Sequence, residues 1–77
     1  MREINTQDCH VKFGKLISNA RIREGMSQAE LATKLELSQP YLCRIENGKR
    51  DIDLALAMKF CKILKLDFQE FVKEFIQ

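Results

Sequence analysis

Several residue types are scarce in this sequence, and each scarcity argues against a class of protein. Among 77 residues there are no tryptophans, one proline and three glycines, which leaves little material for long loops or a glycine-rich phosphate loop. No apolar run reaches the roughly 18 residues that a membrane-spanning helix needs. The segment MREINTQDCHVKF also lacks the apolar centre of a signal peptide, so we expect a cytoplasmic protein without a membrane partner.

Histidine and cysteine are too few for most catalytic or metal sites. The single histidine, His10, follows Cys9, and adjacent helical residues point about 100° apart, so the two do not form a nucleophile–base pair. With Cys43 and Cys61 the cysteines make an odd set without C-x-x-C spacing, which favours free thiols in a reducing compartment. We therefore expect no enzyme, no metal and no cofactor.

Composition and charge fit one small folded domain. Hydrophobic residues make up 45% of the chain and charged residues 31%, as is typical of globular proteins. The net charge is +2, and it falls from +2 over residues 1–26 to −1 over residues 51–77. A nucleic-acid-binding surface is therefore not expected in the acidic C-terminal third.

Helical periodicity predicts five short helices and no strand, hence an all-α fold with a single domain over residues 1–77. The first helix is expected from Asp8 to a left-handed end at Gly25, behind a flexible tail of residues 1–7. Its inward positions are Phe13, Leu16, Ile17, Ala20 and Arg21.

The second helix has a strong start signal. Ser27 and Glu30 form a capping box, which predicts a helix from Gln28 to about Leu35 or Glu36. Its predicted buried face consists of Ala29, Leu31, Ala32 and Leu35.

The third helix is expected to start after Ser38, because Pro40 is tolerated in a first turn that lacks intrahelical N–H bonds. The pair Asn47-Gly48 predicts its end. The expected core contacts are Leu42 and Ile45.

Two more helices are predicted after Asp53 and Asp67, and Glu70 makes the last start a second capping box. The apolar positions of the fourth helix are Leu54, Leu56, Ala57, Phe60, Cys61 and Leu64.

The second and third helices, over residues 28–47, are about two turns long and closely spaced, which is typical of a helix-turn-helix. The segment FGKLISNARIREGMSQAELATKLELSQPYLCRIENGKR resembles the phage-repressor/Cro-type (XRE) helix-turn-helix regulators. The resemblance rests on Arg21, the Ser-Gln-x-x-Leu-Ala block at 27–32 and the Ile-Glu-Asn-Gly block at 45–48. It implies a compact five-helix, lambda-repressor-like domain that binds operator DNA, usually as a homodimer. In size the chain is similar to the controller proteins of restriction–modification operons.

Side chains of the third helix suit base edges in the major groove. The planar fork of Arg44 fits guanine O6 and N7, and Gln39 can pair bidentately with adenine. The resemblance to controller proteins also implies a DNA-contacting tyrosine at Tyr41. The predicted base contacts are Gln39, Pro40, Tyr41, Cys43 and Arg44. The alternative is that this face is only solvated.

A second set of side chains suits the phosphate backbone. Gln28 lies at a helix N-terminus, where free N–H groups favour an anion, and the resemblance implies that it also buttresses Gln39. The predicted phosphate contacts are Ser27, Gln28, Tyr41, Asn47, Lys49 and Arg50. For Lys49 and Arg50 the alternative is a pair of solvated charges after a helix end. The resemblance further implies a structural ion pair between Arg21 and Glu46.

The last segment, residues 67–77, carries more apolar side chains than a short terminal helix needs. They are Phe68, Phe71, Val72, Phe75 and Ile76. We expect part of this set to be core and part to form a two-fold interface, the alternative being a monomer that buries all five. A dimer would hold two recognition helices about 34 Å apart and predicts an operator with inverted half-sites.

The sequence thus predicts a homodimeric, repressor-like regulator that binds double-stranded DNA sequence-specifically. The alternative is a protein-interaction module of the same fold, such as an antitoxin or a partner-tethered regulator, acting through the apolar C-terminal helix. We expect no small-molecule ligand. Oxidation of Cys43 on the DNA-facing side is a further hypothesis for control.

Overall fold

A computed structural model describes residues 6–73 of the chain, with side chains described from His10 onward. Five α-helices follow one another: α1 Thr6–Arg23, α2 Gln28–Leu35, α3 Gln39–Glu46, α4 Leu54–Ile63 and α5 Phe68–Lys73. This part of the chain contains no strand, which confirms the all-α prediction. None of its helices is long and apolar enough to cross a membrane.

The five helices share one apolar core. The ring of Phe13 on α1 makes edge contacts with Phe60 on α4 at 5.5 Å and with Phe71 on α5 at 5.1 Å between ring centroids. The largest fully buried side chains are Phe60, Ile17, Leu31, Leu42, Ile45 and Leu64. Each such side chain contributes about 1.5–3 kcal/mol of burial free energy, so the core is the main source of stability.

Side-chain caps start three of the helices as predicted. In the capping box of α2, the Ser27 hydroxyl accepts from the Glu30 N–H at 3.0 Å, and the Glu30 carboxylate accepts from the Ser27 N–H at 3.2 Å. Ser38 caps α3 and Asp53 caps α4 through their side-chain oxygens. These bonds satisfy backbone donors that a helix leaves open in its first turn.

The first four helices end in the same left-handed turn. The residues in this conformation are Gly25, Glu36, Gly48 and Lys65, with φ of 73°, 59°, 72° and 58°. After each of them, the next N–H donates to a carbonyl five residues back, as in a Schellman motif. The predicted ends at Gly25 and Gly48 are confirmed. Glu36 and Lys65 adopt a conformation that costs a side chain roughly 1 kcal/mol or more.

One predicted boundary and one predicted cap differ from the structure. α1 begins at Thr6, so Thr6 and Gln7 belong to the helix and not to a tail, because no proline or glycine interrupts them; residues 1–5 lie outside the described residues. Asp67 caps α5 through the Gln69 N–H at 2.9 Å. Glu70 does not complete a capping box there, and its carboxylate lies 3.5 Å from Lys73 Nζ.

Ala29 was predicted to be buried and is exposed. It lies on the same side of α2 as Thr33, one turn later, whose hydroxyl donates to the Ala29 carbonyl at 2.9 Å. The buried face of α2 therefore consists of Leu31, Ala32 and Leu35 alone. Leu54, an apolar position of α4, is also exposed.

Candidate nucleic-acid interface

The recognition-helix candidate α3 has one buried and one open face. Leu42 and Ile45 are completely buried and anchor the helix to the domain. On the open face Gln39, Pro40 and Arg44 are exposed, and Tyr41 and Cys43 are half-buried. All five predicted base-contacting residues thus lie on or beside a surface that another molecule can reach.

The predicted phosphate contacts surround this face at both ends of the helix pair. Ser27 is exposed at the start of α2, and Lys49 and Arg50 are exposed just after the end of α3. Asn47 is exposed too, but its amide donates back to the Cys43 carbonyl at 2.9 Å and lies 3.4 Å from the Cys43 sulfur. Part of its hydrogen-bonding capacity therefore already serves the helix end.

Arg21 and Glu46 form a two-bond ion pair between α1 and α3. Arg21 Nε donates to Glu46 Oε2 at 2.8 Å, and Nη2 donates to Oε1 at 3.1 Å. A third donor, Nη1, binds the Met26 carbonyl at 2.8 Å, in the turn before α2. The two side chains are only 13% and 5% exposed, so each charge depends on the other for compensation.

Gln28 joins this network, which sequence reasoning missed. Its Nε2 donates to Glu46 Oε1 at 3.0 Å, so a residue predicted to contact phosphate and to buttress Gln39 is also tied to the scaffold. The bond ties the start of α2 to the end of α3 and restrains the angle between the two helices. No local pattern could reveal it, because the partners meet only after the helices pack.

Gly14 is a second residue whose role the sequence did not reveal. A Cβ atom at this position would lie 2.6 Å from the Ile45 carbonyl oxygen, closer than any real side chain tolerates. Glycine therefore lets the backbone of α1 touch the last turn of α3 directly. Gly48 likewise lies close to Val11 of α1. A Cβ atom added at Gly48 would lie 2.9 Å from Val11 Cγ2. These contacts set the position of α3 on the domain.

The described members of the C-terminal set, Phe68, Phe71 and Val72, do not form one exposed stripe. Phe71 is only 5% exposed and packs on Phe13, so it belongs to the part of the set that is core. Phe68 and Val72 are half-buried against the core. Phe75 and Ile76 lie outside the described residues. The large apolar side chains that are exposed lie on α4, where Leu54 is 65% and Met58 54% exposed, and on α1, where Ile22 is 63% exposed.

The two described cysteines are free thiols in different environments. Cys43 is half-buried on the side of α3. Cys61 is part of the core, where burial and then the nearby Asp67 carboxylate raise the pKa of its thiol. Cys61 is therefore the less reactive of the two toward alkylating reagents at neutral pH.

The comparisons with known proteins agree with this architecture. The helix-turn-helix family model matches residues 17–71, most of the chain. The restriction-modification controller protein C.AhdI from Aeromonas hydrophila is 30% identical, with a TM-score of 0.75 over 82% of this chain and 96% of that one. The clp gene regulator ClgR from C. glutamicum is similar in fold, with a TM-score of 0.77 and 22% identity over 96% of this chain and 92% of that one. No curated protein matches the sequence significantly.

The family match covers the scaffold and the candidate interface together. It spans the whole of α2 and α3, including the buried Leu42 and Ile45 and the exposed Arg44. It also includes the ion pair of Arg21 and Glu46. The chain belongs to the helix-turn-helix family of the phage-repressor/Cro (XRE) type, a family of DNA-binding transcriptional regulators.

Proposed function

We propose that this protein binds double-stranded operator DNA sequence-specifically, as a repressor-like homodimer that acts in the cytoplasm without a cofactor. The observation that carries the proposal is the geometry of α3, with Gln39 and Arg44 open to solvent opposite the fully buried Leu42 and Ile45. A helix held in this way enters a major groove with its N-terminal residues toward the bases.

Base readout is assigned to the open face of α3. Arg44 would donate to guanine O6 and N7, and Gln39 would pair with adenine. Ser27, Lys49 and Arg50 would bind the flanking phosphates, which fixes the register of the helix on the duplex. The likeness to C.AhdI supports a controller-type role, and that role is part of the proposal.

Dimerisation would pair two such helices on one face of the DNA. Phe68 and Val72 on α5 are half-buried, and Leu54 and Met58 on α4 are exposed, so an interface can cover these apolar side chains. A two-fold axis between the protomers predicts two inverted half-sites about one helical turn apart.

The second candidate function is a protein-interaction module with the same fold. The exposed Leu54 and Met58 favour it, because apolar side chains one turn apart on a helix suit a hydrophobic partner. Such contact would be insensitive to salt, whereas a DNA reader with several phosphate contacts loses affinity steeply between about 50 and 200 mM salt.

The test is selection of bound sites from a random duplex pool at about 150 mM salt, where non-specific binding is weak. The expected result is an enriched motif with two inverted half-sites, bound by two protomers. Enrichment of a single half-site would support sequence-specific DNA binding and would reject the proposed homodimer. A folded protein that enriches nothing would reject the DNA-binding proposal and favour the interaction module.

A further inference from the structure

Arg50 and Tyr41 form a contact that none of the assignments above uses. The guanidinium carbon of Arg50 lies 4.7 Å from the centre of the Tyr41 ring, inside the limit of about 6 Å for a cation–π contact. Tyr41 is the third residue of α3, and Arg50 belongs to the loop that follows α3. The contact therefore joins the recognition helix to the basic loop behind it.

The ring is held in place by the domain. Tyr41 is half-buried and packs against the core, and its N–H donates to Ser38 Oγ at 3.2 Å. The loop is also held, because the Lys49 N–H donates to the Arg44 carbonyl at 2.8 Å. Both partners of the contact thus start from defined backbone positions.

The contact with the ring leaves N–H donors of Arg50 available. The five N–H donors of a guanidinium lie in its plane and point outward from the central carbon, which is the atom that lies over the ring. Arg50 is exposed, and the ion pairs found among residues 10–73 do not include it. A phosphate, which accepts two parallel N–H bonds, is the partner that these donors fit.

We propose that the Tyr41 ring positions the Arg50 guanidinium for a backbone phosphate beside the groove that α3 enters. Tyr41 then acts on DNA affinity as a positioning residue, through its ring rather than through its hydroxyl. The inference rests on the proposed DNA-binding function. Holding a long side chain in advance lowers the conformational entropy lost when the complex forms.

The test is a double-mutant cycle of Tyr41→Leu and Arg50→Ala in the full chain, on the selected duplex, between about 50 and 200 mM salt. Arg50→Ala should reduce the slope of log K against log salt by about 0.9, the value for one phosphate contact. Tyr41→Leu keeps apolar bulk without a ring and should weaken binding about two- to fivefold, the size of an exposed cation–π contact. In the Tyr41→Leu background, the loss of DNA affinity caused by Arg50→Ala should be smaller by the same factor.

Two further variants separate the ring from other roles. Tyr41→Phe keeps the ring and should bind within about twofold of the wild-type chain, since Phe also offers a π face. Lys49→Ala removes the neighbouring exposed cation and should reduce the slope of log K against log salt. Its loss of binding free energy should simply add to that of Tyr41→Leu in the double variant. Thermal unfolding of every variant shows whether it is folded at the assay temperature.

The outcomes distinguish the inference from the function on which it rests. Additive losses for Tyr41→Leu and Arg50→Ala, on a duplex that the wild-type chain binds specifically, would overturn the inference and leave the function standing. A Phe variant as weak as the Leu variant would do the same, because it would assign the effect to the hydroxyl. A folded wild-type chain that binds no duplex would overturn both.

Discussion

Gln28 and Glu46 lie 18 positions apart, and the amide of Gln28 donates a 3.0 Å hydrogen bond to the carboxylate of Glu46. The first is the opening residue of α2, and the second is the last residue of α3. Because Arg21 on α1 binds the same carboxylate, one buried acid holds three helices together. The orientation of the helix-turn-helix thus depends on a side chain that is itself only 5% exposed.

Glu46→Gln should lower the free energy of unfolding by about 3 kcal/mol, the low end of the range for breaking a buried ion pair. The cause is the Arg21 guanidinium, which would remain largely buried without a compensating charge. Urea denaturation measures the loss. The control is Glu70→Gln, which removes an exposed acid 3.5 Å from Lys73 and should change stability by no more than about 0.5 kcal/mol. Equal effects at both sites would contradict the assignment of Glu46 to the scaffold.

Gly14→Ala should destabilise the domain by about 1–3 kcal/mol, the cost of overpacking a tight contact. The added methyl group would meet the Ile45 carbonyl oxygen at 2.6 Å, so α1 and α3 would have to separate. Asn19→Ala, on an exposed position of the same helix, should be neutral or slightly stabilising because alanine has the higher helix propensity. Chemical denaturation of both variants distinguishes packing from propensity. A Gly14→Ala variant as stable as Asn19→Ala would show that α1 and α3 approach each other less closely.

Glu36→Gly should stabilise the protein by about 0.5–1 kcal/mol, because Glu36 has a positive φ of 59° that glycine adopts without strain. Glu36→Ala is the matched control, since it removes the same charged side chain and keeps the Cβ atom. The difference between the two melting temperatures isolates the backbone term. If Glu36→Ala stabilised as much as Glu36→Gly, the gain would come from the charge at the helix end instead.

Arg44→Ala should weaken binding to the selected operator by about 1–3 kcal/mol and relax specificity at one base pair. Lys49→Ala should weaken binding to all duplexes by similar factors, because a phosphate contact carries no base information. Titration against the operator and against single-base variants of it measures both effects. An Arg44→Ala variant that loses affinity uniformly across these duplexes would move Arg44 from base readout to the phosphate set.

Alkylation should distinguish the two described cysteines and report the interface. In a Cys9→Ser background at neutral pH, we expect iodoacetamide to modify Cys43 in the folded protein and Cys61 only after unfolding, because burial raises the pKa of the Cys61 thiol. Because the pKa of the Cys61 thiol is raised in the folded protein, it adds to the free energy of unfolding at pH values below the pKa of an ordinary thiol. This stabilising contribution is lost as the pH rises from the ordinary thiol pKa through the raised pKa of the folded protein. Bound operator should slow the labelling of Cys43, followed by mass spectrometry. Unchanged labelling in the complex would remove Cys43 from the interface.

The sequence by itself determined most of the helix starts and ends and which side of most helices is buried. Ser27 with Glu30, Ser38, Asp53 and Gly48 act through hydrogen bonds or backbone angles within a few residues, so their effects can be read locally. Helical periodicity likewise identified the buried positions of α3. It misplaced Ala29, because an alanine carries too little apolar surface to fix which way its turn faces.

Only the tertiary structure decided which residues distant in the sequence contact one another. Three contacts join groups that local sequence does not bring together: the Gln28–Glu46 bond, the approach of Gly14 to Ile45, and the cation–π contact of Arg50 with Tyr41. Likewise, Phe71 became core because Phe13 of α1 meets it across the domain. Such contacts depend on the angles at which packed helices cross, and these angles follow from the fit of all the core side chains together.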